Sequence, residues 1–121
     1  MTDADLDLLS RLWEEHLRTP FPPHMRGREF AYEGEVFDMV LLDADIAGCI
    51  SSSLTRPLDQ QRREVLATCL AVVESVLPSI EVEDHGFAYY RHLREMAALA
   101  IRIGNADAGL PAVRDGAGGA V

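Results

Sequence analysis

The sequence predicts a mainly α fold, a four-helix domain with a small β-hairpin inserted between helices 1 and 2. Three observations lead to that class. Apolar residues recur at helical spacing near residues 3–18, 58–77 and 84–103, the mark of helices that bury one face. Between the first two of these lies Arg28-Glu-Phe-Ala-Tyr-Glu-Gly-Glu-Val-Phe37, whose aromatics share one face only if the segment is a hairpin. Finally, five of the six prolines fall between the periodic stretches, at 20, 22, 23, 57 and 78, where they punctuate instead of breaking helices. Residues 1–104 form a single domain on this reading, and 105–121, rich in Gly and Ala with no periodicity, form a flexible tail.

The first helix is expected to start at a Thr2 or Asp3 cap and run to about Arg18. Leu6, Leu9, Trp13 and Leu17 form its apolar stripe, and His16 sits at the edge of that stripe. Thr19-Pro-Phe-Pro-Pro23 stops it, because proline disfavours helical geometry in the residue before it, and Phe21 is expected to pin this loop to the core. In the hairpin a Glu33-Gly34 turn sets Tyr32 opposite Glu35 and Phe30 opposite Phe37. The third helix, opened by Pro57 and closed by Pro78, carries the stripe Leu58, Val65, Cys69, Val72, Val73 and Val76, wide enough to suggest a central helix. The last helix spans about Asp84 to Ile103 with Tyr89, Tyr90, Leu93, Met96, Ala97 and Ala100 inward, and Gly104-Asn105 as its stop.

The second helix is the ambiguous element. In one placement residues 36–42 continue as a strand, and Asp43 caps a helix from Ala44 to about Leu54 with Asp45 in its first turn. In the other, Asp38 is the cap and one helix covers Met39 to Leu54, which leaves Asp43 at the margin of the apolar stripe and in need of a partner. The first placement is preferred. For the second, Arg62 lies on the stripe of the following helix and suggests a buried polar tie between Asp43 and Arg62.

Composition narrows the function classes. There are 20 acidic and 11 basic residues, for a net charge of -9, and every base is arginine. Without lysine there is no Schiff-base nucleophile and no P-loop lysine. An acidic chain repels phosphate backbones, so no nucleic-acid partner is expected, while a basic protein would be drawn to it. The opening Met-Thr-Asp-Ala-Asp-Leu-Asp lacks a basic n-region, and no apolar run approaches the roughly 18 residues of a membrane span, so the expectation is a cytoplasmic protein with no membrane partner. Cys49 and Cys69, twenty residues apart, read as buried reduced thiols.

Met39-Val-Leu-Leu-Asp-Ala-Asp-Ile-Ala-Gly48 resembles the haloacid-dehalogenase nucleophile motif over about ten residues. The motif's glycine is displaced here, its threonine is missing and no lysine follows, so Asp43 and Asp45 read as structural. Ser51-Ser-Ser53 has no Gly-x-Ser-x-Gly context and reads as a polar helix end. No catalytic set and no cofactor-binding motif emerges.

His16, His85 and His92 are candidate ligands of a divalent metal, since the last two lie seven apart on one flank of the last helix. The leading expectation is a non-catalytic protein that acts by protein-protein association, with itself or with a basic partner. A metal-binding hydrolase built on those histidines is one alternative. The other is an immunity- or antitoxin-like inhibitor that presents Glu29, Glu33, Glu35 and Asp38 to a basic toxin.

Overall fold

The computed structural model describes residues 3–109. It contains α1 (Asp3–Arg18), a hairpin of β1 (Glu29–Tyr32) and β2 (Glu35–Asp38), α2 (Met39–Ser53), α3 (Gln60–Val76) and α4 (His85–Asp107). Single 3-10 turns at Pro23–Met25 and Leu77–Ser79 lie in the loops. This is the expected four-helix domain with a hairpin between helices 1 and 2. The 23-residue α4, roughly 35 Å long at 1.5 Å per residue, packs against α1, α2 and α3. It is therefore the central helix, a place the sequence suggested for α3.

The hairpin pairs Glu29 with Asp38, Phe30 with Phe37, Ala31 with Val36 and Tyr32 with Glu35, as the spacing required. Phe30, Tyr32 and Phe37 thus share a face, and all three pack against the core. Closing four-residue strands with a two-residue loop needs left-handed backbone at both central positions, which Glu33 (φ 51°) and Gly34 (φ 83°) adopt. Glycine does this freely, whereas glutamate is strained by about 1 kcal/mol.

That register also settles α2. Asp38 faces the first residue of β1, so β2 has no partner beyond it, and the Met39 amide makes one last bond to the Arg28 carbonyl (3.0 Å). The Asp38 carboxylate then accepts from the amides of Val40 (2.8 Å) and Leu41 (3.0 Å), which caps the helix. The preferred placement, with strand through Leu42 and Asp43 as the cap, is therefore incorrect. Asp43 lies a full turn inside α2.

Two further boundaries differ from expectation. In α3 the buried stripe is Leu66, Cys69, Val72, Val73 and Val76, whereas Val65 is 40% exposed and Leu58 is buried from the loop before the helix. Asp59 caps α3 through the Arg62 amide, so the helix begins two residues later than Pro57 implied and its face turns accordingly. The helix α4 runs through Gly104-Asn105 to Asp107. Gly104 is buried there because a Cβ would stand 3.3 Å from the Arg63 Cδ, so the glycine permits close helix contact and is not a stop. Of the expected tail, residues 110–121 lie outside the described residues.

The proline loop is held as predicted. The Phe21 ring meets Tyr89 and Tyr90 edge-on at 5.4 and 6.4 Å, and Met25 is buried in the core. Two substitutions test these assignments by chemical denaturation. Leu66→Ala will lower stability by about 2–5 kcal/mol while Val65→Ala changes it by less than about 1 kcal/mol. Glu33→Asn will raise stability by about 0.5 kcal/mol, because asparagine tolerates the left-handed turn position better.

Candidate functional site

The polar groups of the protein converge where α1, α2 and α4 meet. Burying a tyrosine requires a partner for its hydroxyl, and the consecutive Tyr89 and Tyr90 both find theirs on α2. Tyr90, fully buried, donates to the Met39 carbonyl at 2.7 Å. Tyr89 donates to the carboxylate of Asp43, with both oxygens at 3.0 Å. The Nε2 of His16, in the last turn of α1, stands 3.6 Å from the same carboxylate, beyond hydrogen-bond length.

Aromatic rings surround that imidazole. Trp13 stacks on His16 at 5.6 Å, Tyr89 lies at 5.2 Å, and His92 lies parallel at 6.4 Å. His92 is oriented by its Nε2, which is 2.7 Å from the Leu12 carbonyl; a carbonyl can only accept, so this nitrogen carries the proton. Beside this cluster, between α1 and α4, opens a cleft of about 250 Å³ lined by His16, His85, His92 and Tyr89 together with the exposed side chains of Glu15, Arg91 and Glu95.

Burial shifts the titrations here. It lowers the pKa of His16, against the opposing pull of Asp43 and with a further lowering from His92. It raises that of Asp43, which the Tyr89 hydrogen bond and His16 partly counter. The Tyr89 and Tyr90 hydroxyls are both raised, by burial first and then by Asp43. Elsewhere, burial raises Cys49, and raises Cys69 to about 11; both are free, buried thiols, unsuited to nucleophilic work.

The residues singled out in the sequence are distributed as follows. His16, His85 and His92 do reach one cleft, but among the described residues no three His, Cys, Asp or Glu side chains converge to hold a metal ion. The tie between Asp43 and Arg62 does not form. Arg62 is exposed and pairs with Asp59 at 3.2 Å, one turn away on its own helix, while Asp43 turns to Tyr89 and His16. Asp45, about 200° around the helix from Asp43, is exposed on the opposite flank beside Arg62. The two aspartates thus share no site. Glu29, Glu33 and Glu35 are exposed, while the Asp38 carboxylate is engaged by its cap.

Sequence reasoning missed Tyr89 as the partner of Asp43. The available signal was a tyrosine on an inward stripe, whose hydroxyl had to be matched somewhere across 46 residues of chain. Searches against protein-family models, curated proteins and solved structures find no match for this chain. Among the described residues no helix is long and apolar enough to cross a membrane.

The lowered pKa of His16 makes stability depend on pH. The unfolded chain binds this proton more tightly, near the ordinary 6.5, so the contribution is present above that value and is lost as pH falls through it toward the lower folded value. Asp43, raised from 3.8, acts in the opposite sense at more acidic pH. Thermal melts between about pH 7.5 and about pH 5.5 will show wild type losing more stability than His16→Gln, by no more than about 1.4 kcal/mol per pH unit.

Proposed function

We propose that this protein works by non-catalytic association with a basic protein partner, and that the hairpin is its docking element. The observation that carries this reading is the composition of the hairpin's surface. Glu29, Glu33 and Glu35 are exposed around it, and Val36, on the face opposite the aromatics, is 64% exposed. Among the described residues the sheet has two strands, so neither outer edge is paired with a further described strand. An unpaired edge offers backbone donors and acceptors to an extended segment, and acids beside it select a cationic one.

The rest of the molecule is consistent with a scaffold for that element. The hairpin is fixed at its base by the Asp38 cap and the bond from Met39 to Arg28, and its aromatic face rests on the helices. A net charge of -9 supplies long-range attraction for a basic chain. A toxin inhibitor is one member of this class, since a basic toxin is neutralised by covering its cationic surface.

The test compares two baits in extracts of the protein's own host, wild type and the variant Glu29→Gln, Glu33→Gln, Glu35→Gln. The expected result is a basic chain recovered in whole-number ratio by wild type and lost from the variant, with both baits melting within a few degrees of each other. Equal recovery by both baits would remove the hairpin from the interface. Native masses that are only multiples of 13.3 kDa, unchanged in the variant, would instead establish self-association through another face.

A further inference from the structure

The outer side of α2 is poor in charge. Of the two charged residues in this helix, Asp43 turns inward to Tyr89, which leaves Asp45 as the one charge on its exposed side. At 100° per residue, Leu41, Ala44, Asp45, Gly48 and Ser52 fall within about 100° of arc. Leu41 is 63% exposed, and Ala44 and Gly48 are exposed on the same flank. Facing them on α3 stand Gln61, Arg62 and the 40% exposed Val65, and the two walls flank a groove of about 510 Å³.

Gly48 marks the middle of this groove. It keeps ordinary helical backbone, without the positive φ of Gly34, and a Cβ built on it would meet nothing within 4 Å. Gly86 and Gly104, the other helical glycines, each make room for a side chain of this chain. A glycine in a helix interior weakens the helix relative to alanine. At position 48 no neighbour within the protein accounts for that weakening.

The charge around the groove selects the partner. A second cleft, of about 280 Å³, shares Ser52 and Arg62 with it and adds Arg56 and Asp59. Together they set Asp45 and Asp59 against Arg56 and Arg62, a balanced group on a chain of net charge -9. A basic protein is drawn to the acidic surfaces instead, whereas a second acidic chain is repelled least where charge is balanced. The group is also self-complementary. Among the described residues Asp45 forms no ion pair or hydrogen bond, and Arg62 gives one nitrogen to Asp59 in an exposed, weak pair. Asp45 lies on one wall and Arg62 on the other, so a two-fold axis across the groove sets each Asp45 against the partner's Arg62.

We infer that α2 and α3 form a dimer face, on which a second copy of this chain docks its own α2 over the Gly48 groove and exchanges Asp45–Arg62 pairs. Without a side chain at position 48 the two α2 helices approach at the short end of ordinary helix spacing, about 8 Å. Leu41 and Val65 are withdrawn from water in the same step. This face uses no hairpin residue and stands independently of the association reading.

The test follows the full chain by sedimentation velocity from about 1 µM to about 1 mM. The expected result is a reversible rise from 13.3 kDa to twice that mass. Gly48→Gln will weaken the dimer at least about tenfold while its melting temperature stays level or rises, because the monomer has open space there and glutamine is the better helix former. Asp45→Arg will weaken it about tenfold by repulsion from the partner's Arg62, and the exchange Asp45→Arg with Arg62→Asp will restore it to within about threefold. The variant Glu29→Gln, Glu33→Gln, Glu35→Gln will dimerise like wild type, which separates this face from the hairpin.

A wild-type chain that stays at 13.3 kDa throughout overturns the inference. So does a dimer indifferent to Gly48→Gln, a charge exchange that restores nothing, or a dimer lost in the hairpin variant.

Discussion

The structure depends on two neighbouring tyrosines in the second turn of its longest helix. Tyr89 and Tyr90 diverge from α4, and each fastens a different part of α2: Tyr90 takes the first carbonyl of that helix, and Tyr89 takes the carboxylate of Asp43 one turn later. A hydroxyl buried without a partner would lose more than a bonded one gains, so the two bonds fix the rotation and axial position of α2 against α4 more sharply than apolar packing does. Phe21 closes over both rings and brings the proline loop with it. His16 lies tilted against Tyr89 and ties α1 to the same point.

One consequence is that stability and the candidate site share residues. Asp43 and Tyr89 hold helices together and at the same time set the negative field behind the α1–α4 cleft. The bond from the buried Tyr89 lets the partly buried Asp43 carboxylate remain inside without a lysine or arginine partner. The imidazole of His16 completes the group at 3.6 Å from the Asp43 carboxylate, and among the described residues no enclosed side-chain nitrogen or oxygen is left without a partner. The serines are local: Ser53 returns its hydroxyl to the Ile50 carbonyl at 2.7 Å and Thr55 to that of Ser52 at 3.1 Å, as side chains at a helix end commonly do.

Charge is arranged differently on the two regions. Three exposed glutamates surround the hairpin, and among the described residues none of them forms an ion pair. Around α3 and α4 three arginines have local duties: Arg62 pairs with the cap residue Asp59, Arg63 bonds the Leu58 carbonyl at 2.7 Å, and Arg91 lies over Phe87. Asp84 behaves like the other cap aspartates. It accepts from the Gly86 amide and from His24, and these bonds hold its carboxyl below the usual range. Of the exposed hairpin acids, Glu33 acts on the neighbouring Tyr32 hydroxyl and raises its pKa.

The amino-acid sequence by itself determined the elements. Helical periodicity, proline punctuation and the aromatic alternation around Glu33-Gly34 are local signals, and they yielded four helices, the hairpin and its register. The tertiary structure decided what each element faces. Residues 36–42 could be strand or helix until the hairpin ran out of partners at Asp38. Val65 and Leu66 are adjacent and both apolar, and only the docking angle of α3, set by the Asp59 cap, chose Leu66 for the core. Gly104 looked like a stop because its packing against Arg63, 41 positions earlier, is invisible locally. Asp43 found Tyr89 and not Arg62 for the same reason. Hydrogen-bond partners separated by tens of residues are selected by helix rotation and register, which emerge only when all four helices bury their faces together.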